Sequence, residues 1–202
     1  MRSDRMEQIL FVDACMRGEL SRTKMLCREF LDQYTALNPQ CQVLHRDLTT
    51  ASLPVLTGPM AQERDALTSH EKDHPMLQPA LEAAQADLIL VGAPYWDLTF
   101  PAALKVYLEW ASAIGVTFGY TKEGQQVGLC KARHLVFITT AGGPIGNLNL
   151  GYDYLKAWAN MVGISNTHCL TAENLDIRGA DVEGILTQAR QQIDQFAKEF
   201  VG

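Results

Sequence analysis

The sequence has neither a GxGxxG fingerprint nor a GxxxxGK[ST] loop, so it carries neither the Rossmann dinucleotide signature nor a P-loop. No apolar run approaches the roughly 20 residues of a membrane-spanning helix. The opening Met1-Arg-Ser-Asp-Arg-Met-Glu7 is charged and leads into no apolar segment with a cleavage site, so no secretory leader is expected. Cysteine is sparse. Cys15, Cys27, Cys41, Cys130 and Cys169 are odd in number and lack CxxC spacing, which reads as reduced thiols in a cytoplasmic protein. Positive charge is also short, with 17 Lys and Arg against 23 Asp and Glu. The resulting net charge of −6 leaves no basic footprint for nucleic acid. Repeats, low-complexity tracts and linkers are absent, so residues 1–202 are expected to form one domain.

What is present is an α/β pattern. Gln8–Ala14 reads as a first strand, followed by a loop and a helix from Ser21 to about Leu37, stopped by Asn38-Pro39. Gln42–Arg46 is a short strand expected near a sheet edge. Thr49–Gly58 reads as loop, Pro59–Asp73 as a weak polar helix and Met76–Ala86 as a helix with Pro79 in its first turn. Leu88-Ile-Leu-Val91 is continuously apolar, as a strand covered on both faces should be. Pro101–Ile114 predicts a strong helix closed by Gly115, apolar on more than one face through Val106, Tyr107 and Trp110. Val116–Gly128 reads as a polar excursion. Arg133–Thr139 and Ser165–Thr171 are the remaining strands, and Leu150–Val162 and Asp181–Phe200 the remaining helices. Strands alternating with helices imply βαβ units and a parallel sheet. Five strands suit a doubly wound sheet of order 2-1-3-4-5 in a three-layer α/β/α architecture.

That order reverses beside the first strand, so the loops after the first, third and fourth strands converge at the carboxyl edge. The first loop ends at a helix start bearing Ser21, Arg22 and Thr23, with Arg17 nearby. Free N–H groups, two hydroxyls and the helix dipole make this a candidate phosphate site, although Ser21 read alone is an ordinary N-cap. The second loop, Pro94-Tyr95-Trp96-Asp97-Leu98, offers two flat apolar faces and an acceptor. The third, Thr140-Ala141-Gly142-Gly143, lets backbone approach a ligand closely. Read together, they suit a phosphate-bearing aromatic ligand.

Over nearly its whole length the chain resembles the FMN-dependent NADH-azoreductase and NAD(P)H:quinone oxidoreductase family of flavodoxin-like proteins. The resemblance is carried by Ala93-Pro-Tyr-Trp-Asp-Leu-Thr-Phe-Pro101, Leu104-Lys-Val-Tyr107, Gly115-Val-Thr-Phe-Gly-Tyr-Thr121 and Val136-Phe-Ile-Thr-Thr-Ala-Gly-Gly143. It implies bound FMN, with its phosphate at Ser21, Arg22 and Thr23. The ring would lie against Pro94, Tyr95, Trp96, Asp97 and Leu98, with Thr140, Gly142 and Gly143, and adjoining Ala141, on the facing loop. It further implies a homodimer with the flavin near the subunit interface and Phe118 and Tyr120 lining the substrate pocket. NADH or NADPH would be the co-substrate, and quinones or aromatic azo compounds the acceptors. Flavin N5 would carry the hydride in a ping-pong sequence without a catalytic side chain, and the Gly142–Gly143 amides would stabilise negative charge. Asp97 stands where azoreductases typically have Asn, which adds negative charge beside the ring. Gly119 stands where relatives often carry Arg, and Ala141 where some do, which bears on the nicotinamide preference.

His70-Glu71-Lys72-Asp73-His74 matches HExxH, but Pro75 disfavours helical geometry at His74, so a solvated helix end is expected rather than zinc. His134 and His168 fall within strands and are expected to be packed or edge residues. A different class of function, an FMN electron carrier or redox-responsive binding module, would share the fold but not oxidise NAD(P)H rapidly; a relative that has lost flavin is a third reading.

Overall fold

A computed structural model describes residues 7–50, 53–71 and 73–201. Ala51, Ser52 and Lys72, within the expected loop and the HExxH match, lie outside the described residues, as does the segment Met1–Met6. Five parallel strands form the central sheet: β1 (Gln8–Asp13), β2 (Gln42–Asp47), β3 (Leu88–Gly92), β6 (His134–Thr140) and β7 (Asn166–Ala172). Between β3 and β6 in the chain lies an antiparallel hairpin, β4 (Phe118–Tyr120) with β5 (Gln126–Gly128). The sheet order is β2-β1-β3-β6-β7, which is 2-1-3-4-5 for the parallel strands taken in sequence. This is the flavodoxin-like arrangement that the alternation predicts, with β2 at an edge.

The three central strands, β1, β3 and β6, are apolar without alternation because both faces are covered. Leu10, Val12, Ile89, Val91, Leu135 and Phe137 enter the core beneath α3 (Gln78–Gln85), α4 (Ala102–Ala111) and α5 (Leu150–Val162). Ile9, Phe11, Leu88, Leu90, Val136 and Ile138 pack on the other face against α1 (Arg22–Leu37) and α6 (Val182–Val201). A strand with one wet face would place every second residue in water, and burying each such aliphatic side chain is worth about 1.5–3 kcal/mol.

α2 (Gly58–His70) ends where the HExxH match begins. Glu71 caps it, and His74 is extended (φ −63°, ψ 138°), its Nδ1 accepting from the Met76 amide at 3.2 Å. The two histidines therefore do not share a continuous helix, in line with the steric effect of Pro75 on the residue before it.

Two expectations are corrected. The helix predicted over Pro101–Ile114 stops at Ala111, with Ser112 rather than Gly115 at its C-terminus. The cause is a local side-chain contact: fully buried Thr117 donates its hydroxyl to the Ala111 carbonyl at 2.8 Å, and its oxygen accepts from the Ala113 amide at 3.1 Å, which turns the chain early. Tyr107 and Trp110 are 1% and 4% exposed, so the all-round apolar character of α4 is used within the chain's own core. The second correction is the excursion over Val116–Gly128, which contains the β4–β5 hairpin.

Candidate functional site

The ends of β1, β3 and β6 present three loops at one edge of the sheet. Thr23 in the first turn of α1 and Thr140 at the end of β6 share a buried hydroxyl–hydroxyl hydrogen bond of 2.7 Å, which ties the first loop to the third. The Tyr95 amide donates to the Thr140 carbonyl at 2.9 Å, and the Tyr95 hydroxyl to the Leu148 carbonyl at 3.1 Å. The Leu150 amide donates to the Leu98 carbonyl at 3.1 Å. The structure therefore brings together Ser21, Arg22 and Thr23, residues 94–98 and residues 140–143.

At the first loop Ser21 caps α1, its Oγ accepting from the Lys24 amide at 3.2 Å. The Arg22 and Thr23 amides lie in the first turn, where no intrahelical acceptor exists, and they donate to no other described residue. Arg17 is exposed and opens a short 3-10 turn, Gly18–Leu20. Beneath the turn lies a charged group that the sequence pattern does not announce. The fully buried Asp13 carboxylate accepts from the Cys15 amide and contacts Lys24 Nζ and His45 Nε2, each at 3.0 Å. Lys24 also faces Glu19 at 3.5 Å and Asp47 at 3.7 Å. Burial disfavours its charge, but the Asp13 hydrogen bond and the surrounding carboxylates outweigh burial and raise its pKa. The Asp13, His45 and Asp47 ligand atoms are close enough for a metal ion; the Lys24 ammonium already supplies the cation there.

The second loop contains a tight turn. Trp96 and Thr99 exchange N–H···O hydrogen bonds of 3.0 and 2.9 Å around Asp97 (φ +48°) and Leu98 (φ +69°). Two successive left-handed residues make a type I′ turn, for which Asn and Gly are the usual occupants. Asp tolerates this region, whereas for a side chain such as Leu it costs about 1–2 kcal/mol. Trp96 and Leu98 are 45% and 47% exposed, so an apolar wall faces solvent at the sheet edge.

In the third loop the Gly142 and Gly143 amides donate to no described residue. A Cβ on Gly142 would lie 2.5 Å from Asp176 Oδ2, whereas one on Gly143 would meet nothing within 4 Å. Gly142 is therefore required by a close approach from a segment that sequence reading missed. Residues 173–176, after β7, brace the loop. Asn174, Leu175 and Asp176 amides donate to the carbonyls of Gly143, Ala141 and Gly142 at 3.2, 3.1 and 2.9 Å. Glu173 accepts from the Ile145 amide at 2.8 Å, and Asp176 pairs with Arg22 at 2.9 Å. Just below the loop, the fully buried Thr139 hydroxyl has no partner among the described residues.

Phe118 and Tyr120 are not brought to these loops within one chain. Their hairpin packs at the C-terminal end of α5, where Gly128 abuts Gly163 and the Gln126 side chain donates to the Met161 carbonyl at 3.2 Å. The three loops lie at the helix starts. The ten residues of α4 alone span about 15 Å. An open depression of about 410 Å³ beside α1 shares Ser21 and Arg22 with the first loop and is otherwise lined by charged side chains such as Glu19, Arg28 and Asp32 together with Leu20 and Met25.

The family model described as a flavodoxin-like fold matches residues 7–197. FMN-dependent NADH:quinone oxidoreductase 2 of Clostridium acetobutylicum is 34% identical over an alignment of 201 residues that covers 96% of this chain and 100% of that protein. The chain belongs to this flavodoxin-like oxidoreductase family. Another family member, the FMN-dependent NADH:quinone oxidoreductase of Coprothermobacter proteolyticus, is 31% identical over 205 residues, covering 96% of this chain and 100% of its own. Among solved structures, an azoreductase from Bacillus anthracis str. Sterne superposes with a TM-score of 0.81 at 23% identity, over 96% of this chain and 100% of that one. An FMN-dependent NADH-azoreductase from Bacillus anthracis str. Ames Ancestor, in complex with FMN, superposes with a TM-score of 0.80 at 22% identity, over 98% and 100%. These likenesses show that the family fold is shared. Among the described residues, no helix is long and apolar enough to cross a membrane.

Proposed function

We propose that the chain is an FMN-dependent NAD(P)H oxidoreductase that reduces quinones or aromatic azo compounds by a ping-pong mechanism. The observation that carries this reading is the meeting of an open helix start, an exposed aromatic turn and a glycine loop with free amides at one sheet edge, in a member of this family. The donor set suits FMN. The Ser21 and Thr23 hydroxyls and the Arg22 and Thr23 amides would hold a phosphate, and Arg17 would add positive charge. Pro94, Tyr95, Trp96, Asp97 and Leu98 would bear the ring on one side, with Thr140, Ala141, Gly142 and Gly143 on the other.

Bound there, FMN would supply the two-electron redox chemistry between NAD(P)H and the acceptor that no side chain offers. The chain's own part is to bind and orient. The Gly142 and Gly143 amides present preorganised donors to negative charge that develops on reduction. The Trp96 and Leu98 faces exclude water and admit flat acceptors. We further propose a homodimer, in which the hairpin of a second copy brings Phe118 and Tyr120 to the acceptor side. That arrangement reconciles a pocket role with their position at the opposite edge of their own chain. The five free cysteines fit a reducing compartment such as the cytoplasm.

The test is the visible spectrum of the purified protein supplied with FMN. Bands at about 375 and about 450 nm that bleach on anaerobic addition of NADH or NADPH are expected of a bound flavin reduced by nicotinamide. Bands that resist both donors would identify an electron carrier, and no bound flavin would refute the reading. With both substrates varied, double-reciprocal plots should be parallel; intersecting lines would exclude the ping-pong sequence.

A further inference from the structure

The first turn of α1 contains a cation that is already engaged. Arg22 Nη1 donates to Asp176 Oδ1 at 2.9 Å and to the Leu175 carbonyl at 3.3 Å. Its neighbours are committed too: Lys24 to Asp13, Glu19 and Asp47, and Arg28 to Glu19. Asp176 is not a passive surface acid. Its amide holds the Gly142 carbonyl at 2.9 Å, and its carboxylate sits so close to Gly142 that a Cβ there would lie 2.5 Å from Oδ2. One residue after β7 thus touches both the glycine loop and the guanidinium at the helix start, beside the Thr23–Thr140 hydrogen bond that joins the same two loops.

We propose that Asp176 is a positioning residue that sets the affinity of the site for the cofactor phosphate by competing with it for Arg22. The inference rests on the FMN reading above. A phosphate at Ser21–Thr23 carries the same sign as the Asp176 carboxylate and seeks the same donor. While the ion pair stands, the phosphate is held by amides and hydroxyls, and Arg22 contributes little. The pair is exposed, with side-chain exposures of 37% for Arg22 and 71% for Asp176. Exposed pairs are weak, so a bound phosphate can draw Arg22 away, and the site trades cofactor affinity against the Arg22–Asp176 pair. The chemistry discriminated is the phosphate itself: FMN should feel Asp176, and riboflavin, which has the same ring without the phosphate, should not.

The experiment measures dissociation constants for FMN and riboflavin by flavin fluorescence, using the full-length apo-protein. Asp176→Asn keeps the backbone hydrogen bonds and removes the charge. The expected result is that the FMN-over-riboflavin preference rises about threefold to fivefold, the scale of an exposed ion pair. The rise should disappear in Asp176→Asn combined with Arg22→Gln. In the native background, Arg22→Gln should lower the preference by less than it does beside Asn at position 176. A preference that is unchanged or falls in Asp176→Asn, or an Arg22→Gln cost that is equal in both backgrounds, would overturn the proposal. Equal weakening of both ligands would reduce Asp176 to a loop brace and also overturn it. Inorganic phosphate, as a second probe, should displace FMN at lower concentration from Asp176→Asn than from the native chain after correction for FMN affinity. If the native chain binds neither flavin, the cofactor reading itself fails; if it binds FMN without the Asp176 effect, only this proposal fails.

Discussion

Gly142 and Gly143 stand side by side but carry different constraints. A methyl group on Gly142 would meet the Asp176 side chain, its Oδ2 at 2.5 Å and its Cβ and Cγ at 3.2 Å, so that the carboxylate must turn away and the brace give slightly. A methyl group on Gly143 would meet open space. Overpacking costs typically about 1–3 kcal/mol, and turning the Asp176 carboxylate aside also breaks its pair with Arg22. Gly142→Ala is therefore expected to weaken FMN binding about tenfold or more, whereas Gly143→Ala should retain affinity within about threefold unless its methyl touches the ring. A fluorescence titration of both variants checks this contrast. From sequence the two glycines were interchangeable, because the distinction comes from a residue more than thirty positions further on. The Lys24–Asp13 contact was hidden for a related reason. A lysine in a helix is taken as solvated by default, and its burial depends on where β1 and β2 place Asp13 and Asp47.

At the level of elements, β6 and β7 hold a polar contact that does not involve the loops. His134 Nδ1 and His168 Nε2 lie 3.1 Å apart, with ring planes 20° apart and centroids separated by 5.4 Å. Atoms this close in rings so widely separated describe an end-on, nearly coplanar N–H···N hydrogen bond rather than face stacking. Phe200 and Phe196 of α6 pack against the pair. Burial lowers the pKa of both histidines, and His168 and Arg133 add to the effect at His134. A depressed folded-state pKa means that the unfolded chain binds more protons. The contribution is thus present at neutral pH and above, and is lost as pH falls below about 6.5. The melting temperature should fall between pH 7.5 and 5.5, and His168→Gln should flatten that slope by about 2 °C, read as a difference of slopes by calorimetry. The same elements show what is legible in sequence. α5 matches its predicted bounds because Asn149 caps its start and Gly163, at φ +95°, ends it locally. The core strands were readable because burial on both faces leaves a continuous apolar run. The β4–β5 hairpin was not, since three-residue strands containing Gly119 and Gly128 show no alternation and pair only with each other. The early end of α4 was hidden because it turns on one buried threonine hydroxyl a few residues beyond the helix, and the brace at residues 173–176 because it depends on hydrogen bonds to distant parts of the chain.

For the whole molecule, the separation between the loops and the β4–β5 hairpin makes the proposed dimer testable by complementation. A Gly142→Ala chain keeps a sound hairpin, and a Tyr120→Ala chain keeps sound loops. If each site takes loops from one copy and a hairpin from the other, mixing the two chains through unfolding and refolding should restore about a quarter of the native site activity, the share expected of random pairing in a two-fold dimer. Activity no greater than the mean of the two parents would mean that every site is built from one chain. The candidate cofactor site draws on residues 17–23, 94–98, 140–143 and 173–176, and each joins the others only after β1, β3, β6 and β7 have taken their places. A ligand that needs all of them recognises the finished fold alone. Free cofactor at a hundred times its dissociation constant would then add about 2.7 kcal/mol to that fold, so in a cell the supply of the vitamin-derived cofactor would govern how long each molecule escapes proteolysis as well as how fast it works.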